Sequence, residues 1–190
     1  MSSTYTVVYD ACVMYPAPLR SLLMYLALSD LFNARWSHDI HEEWMRNLLA
    51  VRSDLNREKL ERVRLLMDSH VSEALVTGYE SLIPMIALPD QNDRHVVAAA
   101  VQTNADVIVT FNLKDFPNEA LQKYNLSAIH PDDFIVYLMN LDASVVIEAT
   151  RRHRAELKNP PLSINEYFDC LLKQRLPKTV LRLRQFEWLI

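Results

Sequence analysis

The sequence predicts an α/β fold in which parallel strands are covered by helices, followed by a purely helical C-terminal segment. Three observations lead there. A β-branched and aromatic run near the start ends at an aspartate, a second apolar run centres near residue 108, and helical patterns fill the residues between them. Beyond residue 136 the strand signals stop. The charge balance also reverses: residues 1–150 hold 11 Lys and Arg against 20 Asp and Glu, whereas residues 151–190 hold 9 against 4.

Taken in order, "TYTVVYDACV" (4–13) reads as a strand ending near Asp10. "PAPLRSLLMYLALSDLF" follows as a helix, with Pro16 and Pro18 around its first turn and leucines at helical spacing. "SHDIHEEWMRNLLAV" is a second helix with Ser37 as N-cap. "NREKLERVRLLMDSHVSEALV" continues helically, in one piece or two, and Gly78 sits in the turn beyond it. "YESLIPMIAL" reads as a connector or short strand, and "LPDQNDRHVVAAA" opens a helix that runs to about Thr103. "ADVIVTFN" has the continuous apolar character of a strand buried on both faces. "LSAIHPDDF" gives one more short strand and a helix start, with Pro131 in its first turn. In the C-terminal segment, "DASVVIEATRRHRAELK" is a helix, "NPPL" a rigid break, and "SINEYFDCLLKQR" a helix opened by a Ser163–Glu166 capping box. "PKTVLRLRQFEWLI" then places Arg182 and Arg184 among leucines and aromatics.

Composition removes several function classes. The chain of 190 residues is 50% hydrophobic, enough for one sizeable core. It has 1 Gly, so neither a dinucleotide fingerprint nor a P-loop can be written, and any phosphate must be held by side chains or metal ions. The apolar run Leu22–Leu28 is shorter than the roughly 18 residues a membrane span needs, and no basic-then-apolar leader precedes it. A soluble, cytoplasmic protein with no membrane contact is expected. Cys12 and Cys170 suit reduced structural thiols rather than a disulfide framework or thiolate metal site. An acidic body with a basic tail could gather carboxylates at one end and neutralise nucleic-acid phosphates at the other; charge alone fits a solvated basic helix pair more simply.

In sheets of this kind ligands gather at the carboxyl ends of the strands. Asp10 closes the first strand, and Thr110 and Asn112 close the strand of residues 105–112; if these strands are neighbours, their ends share one edge. On a wheel of about 100° per residue, Ile40, Trp44 and Leu48 form an apolar stripe, with Glu43 about 100° and Glu42 about 160° from its middle. Glu43 therefore borders the interior while Glu42 points to water. Asp90 fits an N-cap, but Asp93 falls within the stripe of Val96, Val97 and Ala100, so capping only half explains it. Asp10, Glu43, Asp93 and Asp115 emerge as candidates. Gathered together, they would raise one another's pKa and lose hydration at a cost of several kcal/mol unless a cation intervenes. Oxygen ligands without thiolates suit Mg²⁺ or Mn²⁺, which polarise phosphodiesters and activate water. From spacing alone, each acid is more simply an ordinary cap or strand-end residue.

"VVYDACVMYPAPLRSLLMYLA", "ARWSHDIHEEWMRNLL" and "LPDQNDRHVVAAAVQTNADVIVTFNLKDFP" together resemble the PIN domain, in the branch of bacterial toxin nucleases of the VapC type. The likeness covers most of residues 5–135. It implies a three-layer α/β/α fold with a central parallel sheet over residues 1–136 and a C-terminal helical extension over 137–190. The implied activity is Mg²⁺- or Mn²⁺-dependent hydrolysis of RNA by a toxin paired with a cognate antitoxin, and dimers are usual in the family. The motifs place the strand-end acid at Asp10, the helix acid at Glu43 and the acid opening the "DRHVVAAA" helix at Asp93. Many members carry Thr, one residue, then Asp after the next strand; here "TFNLKDF" has Asn112 at that place, and Asp115 is the substitute within reach. Asp10 and Asp93 would bind the principal ion, Glu43 would help bind it or orient water, and Asp115 would support a second ion or the outer shell. A catalytically weak PIN-like RNA-binding or regulatory module is the alternative that Asn112 keeps open.

Other polar residues carry plainer roles beside functional ones. Thr110 can bond a neighbouring carboxylate or a phosphate, and Asn47 lies one turn after Glu43. Arg20 recurs after the proline pair in the resembling toxins and suits a phosphate or an ordinary helix surface. His38 and His41 have a metal-compatible spacing but no partner cluster, so surface positions are expected. Trp36 and Trp44 suit packing better than base stacking. The tail can pack on the body, contact a partner or guide RNA, in that order of expectation.

Overall fold

The computed structural model describes residues 5–190, so Thr4 at the start of the predicted first strand lies outside the described residues. Strand β1 (Thr6–Tyr9) runs into the short helix α1 (Ala11–Met14) and then α2 (Ala17–Ala27), which returns the chain to β2 (Asn33–Ser37). Helices α3 (His38–Val51) and α4 (Arg57–His70) lead to β3 (Leu75–Val76). Two 3₁₀ turns, Glu80–Met85 and Gln91–Asp93, precede α5 (Arg94–Gln102) and β4 (Val107–Val109). The chain continues through α6 (Asn118–Leu121) to β5 (Ser127–Ile129), and then α7 (Pro131–Leu141), α8 (Ala143–Glu156), α9 (Ile164–Lys173) and α10 (Pro177–Leu183).

The strands form one parallel sheet in the order β3-β2-β1-β4-β5. β1 is central, with Val7 opposite Ala34 on β2 and Val107 on β4. That pairing puts the carboxyl ends of β1 and β4 side by side, as the sequence required if Asp10 and Thr110 were to meet. Alternation along β1 divides the faces. Tyr9 turns toward α2 and α7: its hydroxyl donates to the Leu23 carbonyl at 3.3 Å, and its ring meets Phe134 edge-on at 6.4 Å. α5 lies against β1, β2 and β4. Its consecutive Val96, Val97, Ala98, Ala99 and Ala100 are all buried, because the sheet takes one side and α3 and the Glu80–Met85 turn take others. The result is the three-layer α/β/α arrangement.

Two strands differ from the sequence reading. β2, "NARWS", carries no strand signal of its own; only Ala34 and Trp36 alternate inward between polar neighbours, and parallel pairing with β1 supplies what local pattern lacks. β3 lies in a stretch read as helix: α4 stops at His70, and Leu75 and Val76 pair with Trp36 and Ser37. "YESLIPMIAL" contains a 3₁₀ turn around Pro84 in place of a strand.

His41 is a correction. Unlike exposed His38, it is fully buried, with Nδ1 accepting from Trp44 Nε1 at 3.0 Å and Nε2 lying 3.0 Å from Asp68 Oδ1. An acceptor at Nδ1 requires the neutral tautomer with its hydrogen on Nε2, which then donates to Asp68. Asp68 also accepts from Trp36 Nε1 at 2.8 Å and from Arg64 at 3.2 Å, tying α3, α4 and β2 together. Trp36 and Trp44 are packing residues, as expected.

The C-terminal helices are packed rather than pendent: α8 lies on α2 and α7, and α10 on α7. Asp132, buried near the start of α7, accepts the backbone N–H groups of Lys178 at 2.9 Å and Thr179 at 2.8 Å. A carboxylate distant in sequence thus satisfies the first N–H groups of α10 and favours its positive dipole end. The predicted Ser163–Glu166 capping box opens α9. Among the described residues no helix is long and apolar enough to cross a membrane.

Candidate functional site

The site is a cavity of about 530 Å³ at the carboxyl edge of the sheet, lined by Asp39, Glu42, Glu43, Asp90, Asp93 and Asp115 together with Arg46, Asn92, His95 and Asn112. Asp10 lies buried beside it at the end of β1. Its backbone N–H donates to the Val109 carbonyl at 3.1 Å, so pairing with β4 fixes the residue. One carboxylate oxygen, Oδ2, accepts from Thr110 Oγ1 at 2.7 Å and from Cys12 Sγ at 3.0 Å. Thr110 Oγ1 in turn accepts from the Asn112 N–H at 2.9 Å, which curls the β4 end around Asp10. Burial pushes the Asp10 carboxyl up; the Cys12 and Thr110 bonds oppose that, and Glu43 adds to it.

Asp93 enters at the junction of the Gln91–Asp93 turn and α5, and is buried. Asp90 caps that turn through Asn92 N–H at 2.8 Å, while Asp93 makes no capping bond. The sequence distinction between the two acids therefore holds: one is a cap and the other turns inward. The Asp93 carboxyl is pushed up to about 7, first by burial and then by the negative charges of Asp10, Asp90, Glu43 and Asp115. Those couplings place Asp10, Glu43, Asp93 and Asp115 within one electrostatic neighbourhood, although they lie up to 105 residues apart in sequence.

Glu43 projects from α3 and pairs with His95 Nε2 at 3.1 Å. Asp115 sits in a turn whose N–H donates to the Asn112 carbonyl at 2.9 Å, and both residues line the cavity. Among the described residues no three His, Cys, Asp or Glu side chains are drawn tightly enough to ligate one ion, so the acids share a cavity rather than a closed metal centre. In kind, the donors fit a hard divalent cation: they are carboxylates, one is raised by its neighbours' charge, and the nearby thiol is engaged with Asp10 and Thr110.

The sequence profile described as PIN domain matches residues 6–114, more than half of the chain. The chain belongs to the PIN domain family. The profile described as VapC50 C-terminal domain matches residues 131–185, so the likeness extends into the helices that follow the PIN sheet. A curated relative from Mycobacterium tuberculosis (strain ATCC 25618 / H37Rv), named "Putative ribonuclease VapC50", is 36% identical over 104 residues, which cover 55% of this chain and 61% of that protein. No solved structure matches the chain.

Other predicted residues fall at varied distances from this PIN cavity. Thr110 is buried and bonded to Asp10. Asn47 is exposed on α3 and is not part of the lining, where Arg46 is found instead. Arg20 is buried: its guanidinium donates to the Met14 carbonyl at 2.6 Å, stacks 4.5 Å from the Trp44 ring centre, and is pushed down to about 10 by burial. It secures the end of α1 against α3 and does not line the acidic cavity. Glu42, expected to point to water, is instead half-buried on the cavity lining, where Arg57 holds it. His95 was missed; its only sequence signal is a position two residues after Asp93. Its Nδ1 is buried without a hydrogen-bond partner among the described residues.

Proposed function

We propose that this chain is a metal-dependent endoribonuclease, the toxin member of a toxin-antitoxin pair, using Asp10, Glu43, Asp93 and Asp115 around Mg²⁺ or Mn²⁺. The observation that carries this reading is Asp93, whose carboxyl is raised first by burial and then by the charges of Asp10, Asp90, Glu43 and Asp115, an arrangement that costs stability until a cation enters. The ribonuclease named among its relatives supports it. A divalent ion bound there supplies Lewis-acid polarisation of the phosphodiester and a more acidic water.

The chain's own residues do the remaining work. Thr110 and Cys12 hold one Asp10 oxygen by hydrogen bonds, which fixes the carboxylate that would bind the ion. Asp93 would supply a second carboxylate from the turn that opens α5, and Glu43, paired with His95, would accept a proton from water or add an oxygen ligand. Asp115 supports the outer edge in place of the acid that Asn112 lacks. In the same reading residues 1–136 form the nuclease unit and 137–190 its helical extension, with α7 crossing that line. An antitoxin and a second copy of the chain are the partners, and the cytoplasm the setting.

Purified full-length protein is expected to cut single-stranded RNA with Mg²⁺ or Mn²⁺ and to stop when a chelator is added. RNA binding without cutting under any divalent ion would instead support a PIN-like RNA-binding module.

Stability offers a separate readout. Because the folded Asp93 carboxyl lies near 7, above its ordinary 3.8, the metal-free fold holds that proton more tightly than the unfolded chain. Its stabilising contribution is complete below about pH 4 and lost as pH rises through about 7. Divalent ions should offset that loss, with proton competition weakening the effect at pH 5 relative to pH 8. At a hundredfold excess over Kd the gain is about 2.7 kcal/mol, or roughly 5–10 °C in melting temperature for a chain of this size. Thermal scans with and without Mg²⁺ at the two pH values would detect it; identical melting curves would contradict divalent binding by these acids.

A further inference from the structure

The extension brings a positive charge to the nuclease edge. Arg175 is the residue that ends α9: its backbone is left-handed, with φ 64°, its N–H donates to the Leu172 carbonyl at 2.9 Å, and the next N–H, of Leu176, donates to the Leu171 carbonyl at 3.3 Å. This helix-closing turn usually carries glycine. The Arg175 guanidinium is free of the turn. Its carbon lies 4.7 Å from the centre of the Phe111 ring, and among the described residues no carboxylate pairs with it, whereas nearby Lys178 is engaged by Asp133 at 2.5 Å.

Phe111 is a telling neighbour. It stands between Thr110, which holds Asp10, and Asn112, which lines the acidic cavity, and its own N–H donates to Cys12 Sγ at 3.2 Å. His130, at the carboxyl end of β5, closes on the same ring at 5.2 Å. A polyanionic strand approaching the cavity meets repulsion from its acids, so a cation fixed at the rim would offset that repulsion and set the strand's path. A guanidinium stacked on an aromatic face keeps its N–H edge available for a phosphate.

We propose that Arg175 binds a backbone phosphate of the RNA strand beside the cleavage cavity, making the C-terminal helices part of the substrate site. This rests on the ribonuclease reading above.

The test uses full-length protein carrying Asp10→Asn to prevent cutting, with and without Arg175→Gly. Glycine suits the left-handed turn, so the second variant should keep the fold while removing the guanidinium together with its stem and its stacking on Phe111. Fluorescence anisotropy with a mixed-sequence single-stranded RNA of about 16 nucleotides is expected to show affinity falling roughly 5–10-fold and the slope of log K against log salt shrinking by about 0.7, one phosphate contact. Arg175→Lys should keep most of the slope. Equal affinity and equal slope for parent and Arg175→Gly would overturn the proposal while leaving the nuclease reading intact if wild type cuts RNA. Failure of wild type to cut, together with failure of the Asp10→Asn parent to bind, would overturn both.

Discussion

Asp93→Asn is expected to lower RNA cleavage by more than ~100-fold while making the metal-free protein more stable at pH 8. Both effects have one cause. Asp93 is buried next to Asp10, Asp90, Glu43 and Asp115, and its ionised form is disfavoured there. The amide has nearly the same shape, and Asp93 makes no capping bond that the change would lose. Without metal, removing the charge relieves repulsion, so the melting temperature rises. In the proposed site the change would remove a metal ligand; outer-shell partners of metal sites already cost about 10–100-fold when altered, and a direct ligand should exceed that. Asp10→Asn should be equally inactive, because Thr110 and Cys12 fix its carboxylate close enough to raise Asp93. Gain of stability with loss of activity is the signature of a residue kept for chemistry. Undiminished cutting by both variants would remove these acids from the mechanism.

Asp132→Ala should be strongly destabilising although it lies outside the cavity. Its carboxylate accepts two N–H groups at the start of α10, and Thr179 is itself buried. Truncation leaves those donors without a partner, at about 1–3 kcal/mol each; a total near 3 kcal/mol corresponds to a melting decrease of roughly 6–12 °C. Asp132→Asn, which keeps an acceptor oxygen, should lose about half as much. Chemical denaturation of the three proteins would measure this, and equal midpoints would show that the capping contact contributes nothing. Because α10 begins just after Arg175, the alanine variant should also weaken RNA binding.

The placement of the candidate acids was legible where local periodicity reports burial. Asp10 ends an apolar strand, Glu43 borders the Ile40–Trp44–Leu48 stripe, and Asp93 shares a face with Val96 and Ala100; each leaves a mark within a few residues. The parallel sheet and its two helical layers were legible for the same reason, through alternating strand and helix patterns. What escaped depends on partners distant in sequence. β2 is a strand because β1 lies beside it, and Arg20 is buried because the Met14 carbonyl and the Trp44 face receive it. His41 looks like a surface histidine until Asp68, 27 residues later, completes its bonds. Asp132 reads as an ordinary helix-start acid until α10 arrives. His95 escaped because its pairing with Glu43 spans 52 residues.

The central claim is that acids scattered along the chain converge to hold a divalent ion. A crystal soaked in Mn²⁺ and measured at the manganese absorption edge tests it most directly. The account predicts an anomalous peak in the cavity, about 2.1 Å from oxygens of Asp10 and Asp93, with Glu43 or Asp115 completing the shell directly or through water. Manganese bound only elsewhere, with Asp10 and Asp93 untouched, would contradict it.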